Sequence, residues 1–159
     1  MMRIGHGYDV HRYKEGRRCI FCGVEIPVDF GPDGHSDADV AVHALMDALL
    51  GAVALGDIGR HFPDNDSKYK NADSMKLLDH VMELVAEKGY SVGNVDITVI
   101  AQKPRLAAYI PDMVKNLAAC LNVSEDRVNV KATTEEKMGF TGSGEGVAAH
   151  AVVVLTKNE

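Results

Sequence analysis

The chain lacks the features that define several broad protein classes. No apolar stretch is long and uninterrupted enough to span a bilayer, and the first residues show no signal-peptide pattern. Its cysteines number only three, which argues against a disulfide scaffold and for a reducing compartment. The formal charge of −6 weighs against nucleic acid, whose partners need a basic surface. We therefore expect a cytoplasmic protein that binds neither membranes nor nucleic acid.

What is present is typical of a globular domain. The chain has 159 residues, of which 46% are hydrophobic and 25% charged, and this length is sufficient for one domain with its own core. We therefore expect residues 1–159 to form a single domain. Cys19 and Cys22 make one Cys-x-x-Cys pair without a second pair, and buried thiols explain them better than a zinc knuckle does.

Hydrophobic periodicity predicts an α+β protein. Apolar alternation and turn residues predict strands over residues 2–11, 19–28, 95–101, 128–133 and 147–156. Helical patterns predict three helices. The first covers residues 39–55, the second is capped by Asp73 or Ser74 and runs to Lys88, and the third has Pro111 in its first turn. We predict a two-layer sandwich, with one mixed four-stranded sheet, helices on one face and an N-terminal hairpin. The nearly all-apolar last strand predicts burial on both faces.

Three potential metal ligands stand out from this pattern. Asp9 and His11 are two residues apart on a predicted strand, so their side chains share a face. His43 lies with Asp39 and Asp47 on the only polar line of an otherwise apolar helix. One carboxylate and two imidazoles suit zinc with an open fourth position. The alternatives are a solvated strand face and a buried neutral histidine held by a hydrogen bond.

Two further segments allow a structural and a functional interpretation. Ser36 or Asp37 can cap the helix that follows them. The same helix N-terminus attracts phosphate, and His35 could donate a hydrogen bond to an anion beside the metal. Residues 131–137 combine hydroxyls, N–H groups and carboxylates, which suit phosphate and a second divalent cation. For this stretch alone, a charged strand-to-turn boundary is the simpler interpretation.

Taken in order, these segments closely resemble the 2-C-methyl-D-erythritol 2,4-cyclodiphosphate synthase family of non-mevalonate isoprenoid synthesis. The resemblance runs nearly end to end. It rests on a series of motifs: residues 3–11 (Arg-Ile-Gly-His-Gly-Tyr-Asp-Val-His), 35–40 (His-Ser-Asp-Ala-Asp-Val), 43–52, 56–59 (Gly-Asp-Ile-Gly), 62–64 (Phe-Pro-Asp), 94–96, 101–104 (Ala-Gln-Lys-Pro), 130–134 and 139–142 (Gly-Phe-Thr-Gly).

The resemblance implies a metal-dependent phosphorus–oxygen lyase. It would convert 4-diphosphocytidyl-2-C-methyl-D-erythritol 2-phosphate to the 2,4-cyclodiphosphate and CMP, by attack of the 2-phosphate on the β-phosphate. Members of the family are homotrimers around a central cavity, with active sites at the subunit interfaces. No protein nucleophile is required, and no serine or cysteine here stands beside an obvious base.

The resemblance also assigns roles to individual residues. Asp9, His11 and His43 would bind Zn²⁺, with a substrate phosphate oxygen in the open position, and Glu136 would bind Mg²⁺ or Mn²⁺. His35 and Thr134 would stabilise the transition state. The remaining substrate contacts implied are Ser36, Asp57, Ile58, Gly59, Phe62, Pro63, Asp64, Asn65 and Asp66 at the methylerythritol end, and Ala101, Gln102, Lys103, Pro104, Arg105, Leu106, Ala107, Thr133, Glu135 and Phe140 around the nucleotide and diphosphate.

The chain departs from the family pattern at a few positions. Ser143 stands where many members carry an arginine that faces the central cavity and can bind a prenyl diphosphate, which puts that regulation in doubt. Arg105 replaces a frequent lysine, Ala38 a common glycine and Glu135 a common threonine. We expect these replacements to leave catalysis intact.

Two other functions fit the same residues. A zinc phosphoesterase would use a zinc-bound water as nucleophile in place of the substrate's own phosphate. A binding module would hold a cytidine nucleotide or isoprenoid phosphate beside a structural zinc with four protein ligands.

Overall fold

The chain forms seven strands and five α-helices, described over residues 1–159 by a computed structural model. The strands are β1 (Met2–Glu15), β2 (Cys19–Phe21), β3 (Val24–Ile26), β4 (Phe30–Pro32), β5 (Tyr90–Ile100), β6 (Val128–Thr133) and β7 (Gly146–Lys157). The helices are α1 (Val40–Ala52), α2 (Ile58–His61), α3 (Ser74–Glu87), α4 (Ile110–Leu121) and α5 (Gly139–Gly142). Short 3₁₀ turns occupy Ser67–Tyr69, Ala107–Tyr109 and Glu125–Arg127.

The main sheet is mixed, as predicted, but it has five strands in the order β4-β1-β7-β5-β6, so the prediction of four strands is wrong. Only β5 and β6 run parallel; the other neighbours are antiparallel. The additional strand is β4, which pairs with residues 13–15 at the far end of β1. Its three residues include Gly31 and Pro32, and so short a run carries no strand signal in the sequence.

The N-terminal hairpin lies within residues 19–26. The predicted strand over residues 19–28 is divided into β2 and β3, which pair with each other in a separate two-stranded sheet. Cys22 and Gly23 form the connection, with φ values of 50° and 73°. Positive φ at both central residues is the geometry of a type I′ turn, whose twist matches that of the flanking strands. This turn reverses the chain where the apolar pattern alone predicted one continuous strand.

The sheet has one covered face and one open face. Helices α1, α3 and α4 pack over the covered face, around a core of 36 buried residues. The open face carries Ile4, Tyr8, Val10 and Val152, which are 68%, 47%, 43% and 42% exposed. In the single chain, β7 is therefore buried on both faces only in its first half, where Val147, Ala148 and Ala149 are inaccessible or nearly so. No helix has the length and apolar character needed to cross a membrane.

Helix α1 lies unusually close to β1 because β1 presents glycines to it. A Cβ atom added to Gly7 would overlap the carbonyl oxygen of Ala44, and one added to Gly5 would overlap that of Ala48. Glycine on the strand and alanine on the helix thus let the two backbones meet directly. Asp9 and His11 lie on the same face of β1 as Gly5 and Gly7. The close contact therefore brings His43 of α1 next to Asp9 and His11.

This contact predicts a large penalty for a single methyl group at position 7. Gly7→Ala forces α1 away from β1, and overpacking of this kind lowers the free energy of unfolding by about 1–3 kcal/mol. Gly51→Ala is the matched control, because Gly51 is an exposed glycine inside α1 with open space around its Cβ position. Replacing that glycine should raise stability by about 0.5–1 kcal/mol. Urea unfolding of both variants measures the difference, and equal stability of Gly7→Ala and the parent would contradict the contact.

Candidate metal centre

Three side-chain atoms from two elements converge at the carboxyl-terminal half of β1. Asp9 Oδ2 lies 2.8 Å from His11 Nε2 and 3.1 Å from His43 Nδ1, and the two imidazole nitrogens are 3.2 Å apart. The predicted grouping of these residues is confirmed as a possible metal site. In a tetrahedral zinc site with bonds of about 2.0–2.1 Å, ligand atoms lie about 3.3 Å apart. The observed triangle is slightly smaller, so a divalent ion fits with a small outward adjustment of the side chains.

The outer nitrogen of His11 supports the same interpretation. His11 Nδ1 lies 2.8 Å from the carbonyl oxygen of Asp33, to which it donates a hydrogen bond. In the neutral ring this leaves the Nε2 lone pair directed at Asp9 and His43. Metal-ligating histidines commonly donate their other N–H to a backbone carbonyl or a carboxylate. A Cβ on Gly34 would lie 3.1 Å from the His11 ring, so the loop passes close enough to hold the ring in place.

The electrostatics of the triad favour a bound cation. Burial opposes ionisation of Asp9, but the adjacent His11 and His43 rings, which donate to the carboxylate when they are protonated and no metal is bound, outweigh burial and lower the pKa of the carboxyl to about 2. Burial likewise opposes the charged form of His11, and the Asp9 carboxylate outweighs it and raises the pKa of His11. Asp9 is therefore a carboxylate at neutral pH, and the nitrogens around it gain from any positive charge placed between them.

Each residue on the polar line of α1 has a separate partner. Asp39 is fully buried and caps the helix, with its carboxylate accepting hydrogen bonds from the N–H groups of Val42, Cys22 and Gly23. Asp47 accepts a hydrogen bond of 2.8 Å from the N–H of Ile58. The line therefore faces neither bulk solvent nor a single site. Hydrogen bonds of Asp39, His43 and Asp47 connect α1 to the β2–β3 turn, to the metal centre and to the start of α2, respectively.

The start of α1 differs from the capping prediction. Asp39 is the N-cap, so the expectation that Ser36 or Asp37 bonds the first-turn N–H groups is wrong. Ser36 Oγ and Asp37 Oδ1 accept hydrogen bonds from the N–H groups of Ala38 and Asp39, respectively. Both N–H groups precede the first turn of α1. Ala38, the residue directly before the N-cap, has a φ of 56°. This left-handed conformation favours glycine, the residue that the family pattern has here, and costs alanine roughly 1 kcal/mol.

A cavity of about 360 Å³ opens beside the triad. Besides the triad, six of the residues that the resemblance implicates line it: His35, Ser36, Ile58, Gly59, Phe62 and Asp64. His35 lies on its wall, with Nε2 placed 3.1 Å from the carbonyl oxygen of Asp66. Asp57 is not part of the wall; it directly precedes Ile58 and is the N-cap of α2, accepting a hydrogen bond from Arg60 N–H. Pro63, Asn65 and Asp66 belong to the same connection between α2 and the next 3₁₀ turn.

The other implicated residues lie outside this cavity. None of Ala101–107, Thr133, Thr134, Glu135, Glu136 or Phe140 contributes to its wall. Gln102 and Lys103 instead line a separate cavity of about 710 Å³ with Tyr13, Lys137 and Ser143, and Phe140 lines a third beside Val10 and His11. A single chain therefore brings the metal ligands together with most of the first group of implicated residues. Of the second group, only Phe140 lines a cavity that includes a triad residue, His11.

Four cavity residues escaped the sequence prediction: Gly34, Met46, Tyr69 and Leu77. Met46 follows His43 by three residues and so shares its helix face, a signal that could have identified it. Leu77 belongs to the apolar face of α3, where its pattern predicts only core packing. Tyr69 packs edge-on against Phe62, with ring centroids 5.3 Å apart. The sequence carries no signal for that contact.

Comparison with known proteins assigns the chain to a family. The model of the YgbB family matches residues 2–156. A relative from Trichlorobacter lovleyi, named 2-C-methyl-D-erythritol 2,4-cyclodiphosphate synthase, is 62% identical over 154 residues, 97% of this chain and 98% of that relative. The solved structure described as "IspF (Plasmodium falciparum) CDP complex" superposes with a TM-score of 0.88 at 34% identity, covering 99% of this chain and 97% of that one.

A further solved structure, the bifunctional IspDF from Campylobacter jejuni, superposes with a TM-score of 0.97 at 45% identity. The match covers 100% of this chain and 43% of that longer one. The family model, the relatives and the folds agree over essentially the whole chain. The protein therefore belongs to the YgbB family, and relatives that are named 2-C-methyl-D-erythritol 2,4-cyclodiphosphate synthase match it over nearly its whole length.

Proposed function

We propose that the protein converts 4-diphosphocytidyl-2-C-methyl-D-erythritol 2-phosphate to 2-C-methyl-D-erythritol 2,4-cyclodiphosphate and CMP. An oxygen of the 2-phosphate forms a bond to the β-phosphorus, and the bond from that phosphorus to the CMP oxygen breaks, so CMP leaves with the electron pair. The reaction makes the protein a lyase of isoprenoid precursor synthesis. The observation that carries the proposal is the Asp9, His11 and His43 triad beside its cavity in a YgbB-family fold.

Asp9, His11 and His43 are the proposed zinc ligands. Bound there, the ion would supply Lewis acidity, which polarises a phosphoryl oxygen and offsets the repulsion between phosphate groups. The chain's own contribution is to present two neutral imidazoles and one carboxylate with their lone pairs directed inward. Such local positive charge is what an acidic protein requires to bind a polyanionic substrate.

The residues around the cavity fold and orient the substrate. We assign the methylerythritol end to Ser36, Asp57, Ile58, Gly59 and the segment of residues 62–66, which line the cavity or adjoin the residues that do. His35 on the same wall and Thr134 are the proposed transition-state contacts. Bringing the attacking phosphate into line with the leaving group is most of what such a site must do, since effective molarities from orientation alone are large.

The nucleotide side of the site is proposed to come from a second subunit. Residues 101–107, Thr133 and Glu135 do not line the triad's cavity in one chain, and Phe140 lines a different cavity beside His11, which supports completion of the site across an interface. The open sheet face supplies a surface for such an interface. Its large exposed apolar side chains form a patch that a monomer rarely leaves in water. We propose a homotrimer in which this face lines the central cavity.

Glu136 is the proposed ligand of a second divalent ion, Mg²⁺ or Mn²⁺. The neighbouring Glu135 is already engaged, since its Oε2 accepts a hydrogen bond of 2.6 Å from Thr141. Glu136 is exposed, with φ of 52°, and its N–H donates to Thr134 Oγ1. This conformation places the proposed metal ligand and the proposed transition-state residue Thr134 in one turn.

We also propose that residues 1–159 form one synthase domain in the cytoplasm. One continuous hydrophobic core supports the single domain. Three free cysteines, two of them buried, support a reducing compartment.

The defining test is the product of the diphosphocytidyl substrate with Zn²⁺ and Mg²⁺ present. We expect equimolar CMP and cyclic diphosphate by phosphorus NMR, and a loss of at least about 100-fold in rate for His43→Ala, which removes a metal ligand. Free phosphate or an open diphosphate would indicate a phosphoesterase instead. Nucleotide binding without turnover, in the presence of both Zn²⁺ and Mg²⁺, would indicate a binding module.

The second-metal role predicts a specific change in the metal response. Glu136→Ala should shift the Mg²⁺ or Mn²⁺ concentration for half-maximal activity upward by about tenfold or more, while Zn²⁺ content stays constant. Glu87→Ala, which removes an exposed carboxylate at the end of α3, is the control and should leave the titration unchanged. A titration of Glu136→Ala that superposes on the parent's would remove Glu136 from this role.

The interface proposal predicts that charge on the open face separates the subunits. Val152→Glu buries a carboxylate in the apolar face of any assembly and should yield monomers by size exclusion with light scattering. These monomers should retain zinc yet lose activity, because the triad is complete in one chain and the nucleotide side is not. Ala86→Glu, on the exposed side of α3, is the control. A fully active Val152→Glu monomer would show that one chain suffices.

A further inference from the structure

A buried polar chain lies behind His43, on the side away from Asp9. His43 Nε2 lies 2.9 Å from Ser74 Oγ, and Ser74 Oγ lies 2.5 Å from Asp37 Oδ1. Asp37 Oδ2 also accepts a hydrogen bond of 3.0 Å from the N–H of Ser74. Ser74 is fully buried at the start of α3. The chain therefore links the amino-terminal end of one helix to a proposed metal ligand on another.

The donors and acceptors in this chain follow from two chemical properties of Ser74 and Asp37. A hydroxyl has a single hydrogen, and the Asp37 carboxylate can only accept. Ser74 therefore donates to Asp37 and must accept from His43, so the hydrogen of the neutral imidazole resides on Nε2. When the ring is neutral, Nδ1 then carries the lone pair, and this lone pair faces Asp9 Oδ2 and His11 Nε2, as metal ligation requires.

The surroundings hold this arrangement in place. Asp37 is fixed through both carboxylate oxygens, because Oδ1 also accepts a hydrogen bond from Asp39 N–H. Ser36 Oγ approaches the same Nε2 atom at 3.2 Å, but it already accepts from Ala38 N–H and is the more distant partner. Arg17 donates a hydrogen bond of 2.9 Å from Nη2 to the carbonyl oxygen of Ser36. The segment that carries Asp37 is thus held by hydrogen bonds at both Ser36 and Asp37.

We infer that Ser74 and Asp37 are positioning residues, which hold His43 in the tautomer that ligates metal through Nδ1. The inference deepens the proposed function, since it rests on His43 being a metal ligand. Outer partners of ligating histidines typically contribute 10–100-fold to metal affinity. A purely structural role, in which Asp37 and Ser74 only secure the start of α3, would affect stability and leave metal affinity unchanged.

The test compares zinc affinity and tautomer in Ser74→Ala and Asp73→Ala. Asp73 is the N-cap of α3 and bonds Met75 N–H without contact to His43, so its loss weakens the same helix end but not the polar chain. We expect Ser74→Ala to weaken zinc binding about 10–100-fold in competition with a chromogenic chelator, and Asp73→Ala to bind as the parent does. Ser74→Thr keeps the hydroxyl and should restore affinity, and Asp37→Asn should be intermediate.

A second measurement is independent of affinity. In the metal-free protein, nitrogen NMR of His43 should show the Nε2-protonated tautomer, and Ser74→Ala should shift the ring to a mixture. The Co²⁺-loaded protein should show a changed visible spectrum in Ser74→Ala and not in Asp73→Ala. Parent-like zinc affinity, tautomer and spectrum in a folded Ser74→Ala protein would overturn the inference. Failure of the parent itself to bind zinc would instead overturn the proposed metal site.

Discussion

The direct backbone contact between α1 and β1 is the constraint on which the site depends. Gly7 and Ala44 leave no space for a larger side chain between strand and helix. His43 can therefore reach across to Asp9 and His11, although 34 residues separate it from Asp9 in the chain. A longer helix-to-sheet distance would leave three unrelated polar groups in place of a triad. The same contact forms much of the core, so stability and metal binding share one origin.

Successive side chains of β1 alternate between the two faces of the sheet, and each face has a different role. Odd-numbered residues from Gly5 to His11 face α1 and create the metal centre, while even-numbered residues from Met2 to Val10 are exposed on the other side. A strand repeats its side-chain direction every two residues, so one segment can serve both faces. If the open face mediates assembly, as we propose, the segment that binds metal also joins the subunits. Substitutions on either face of β1 would then impair catalysis by different routes.

The site illustrates how an acidic protein can bind a strongly anionic substrate. Its net charge of −6 does not attract phosphate at long range. Positive charge must therefore be local, and the triad directs three lone pairs into one small volume where a cation is favourable. The buried chain through Ser74 and Asp37 extends this logic outward, because it fixes which nitrogen of His43 faces the ion.

The sequence by itself determined the α+β class, the location of the three longest helices and of four of the five strands of the main sheet, and the three residues of the possible metal site. These follow from side-chain periodicity and motif order, which are local properties. Only the tertiary structure decided the fifth strand, the reversal at Cys22 and Gly23, and the true cap of α1. These depend on backbone conformation and on partners distant in the chain. Tertiary structure alone also placed Ser74 and Asp37 behind His43 and left residues 101–107 apart from the triad. A hydrogen-bond partner 31 residues away carries no periodic signal, since only packing α3 against α1 brings the two together.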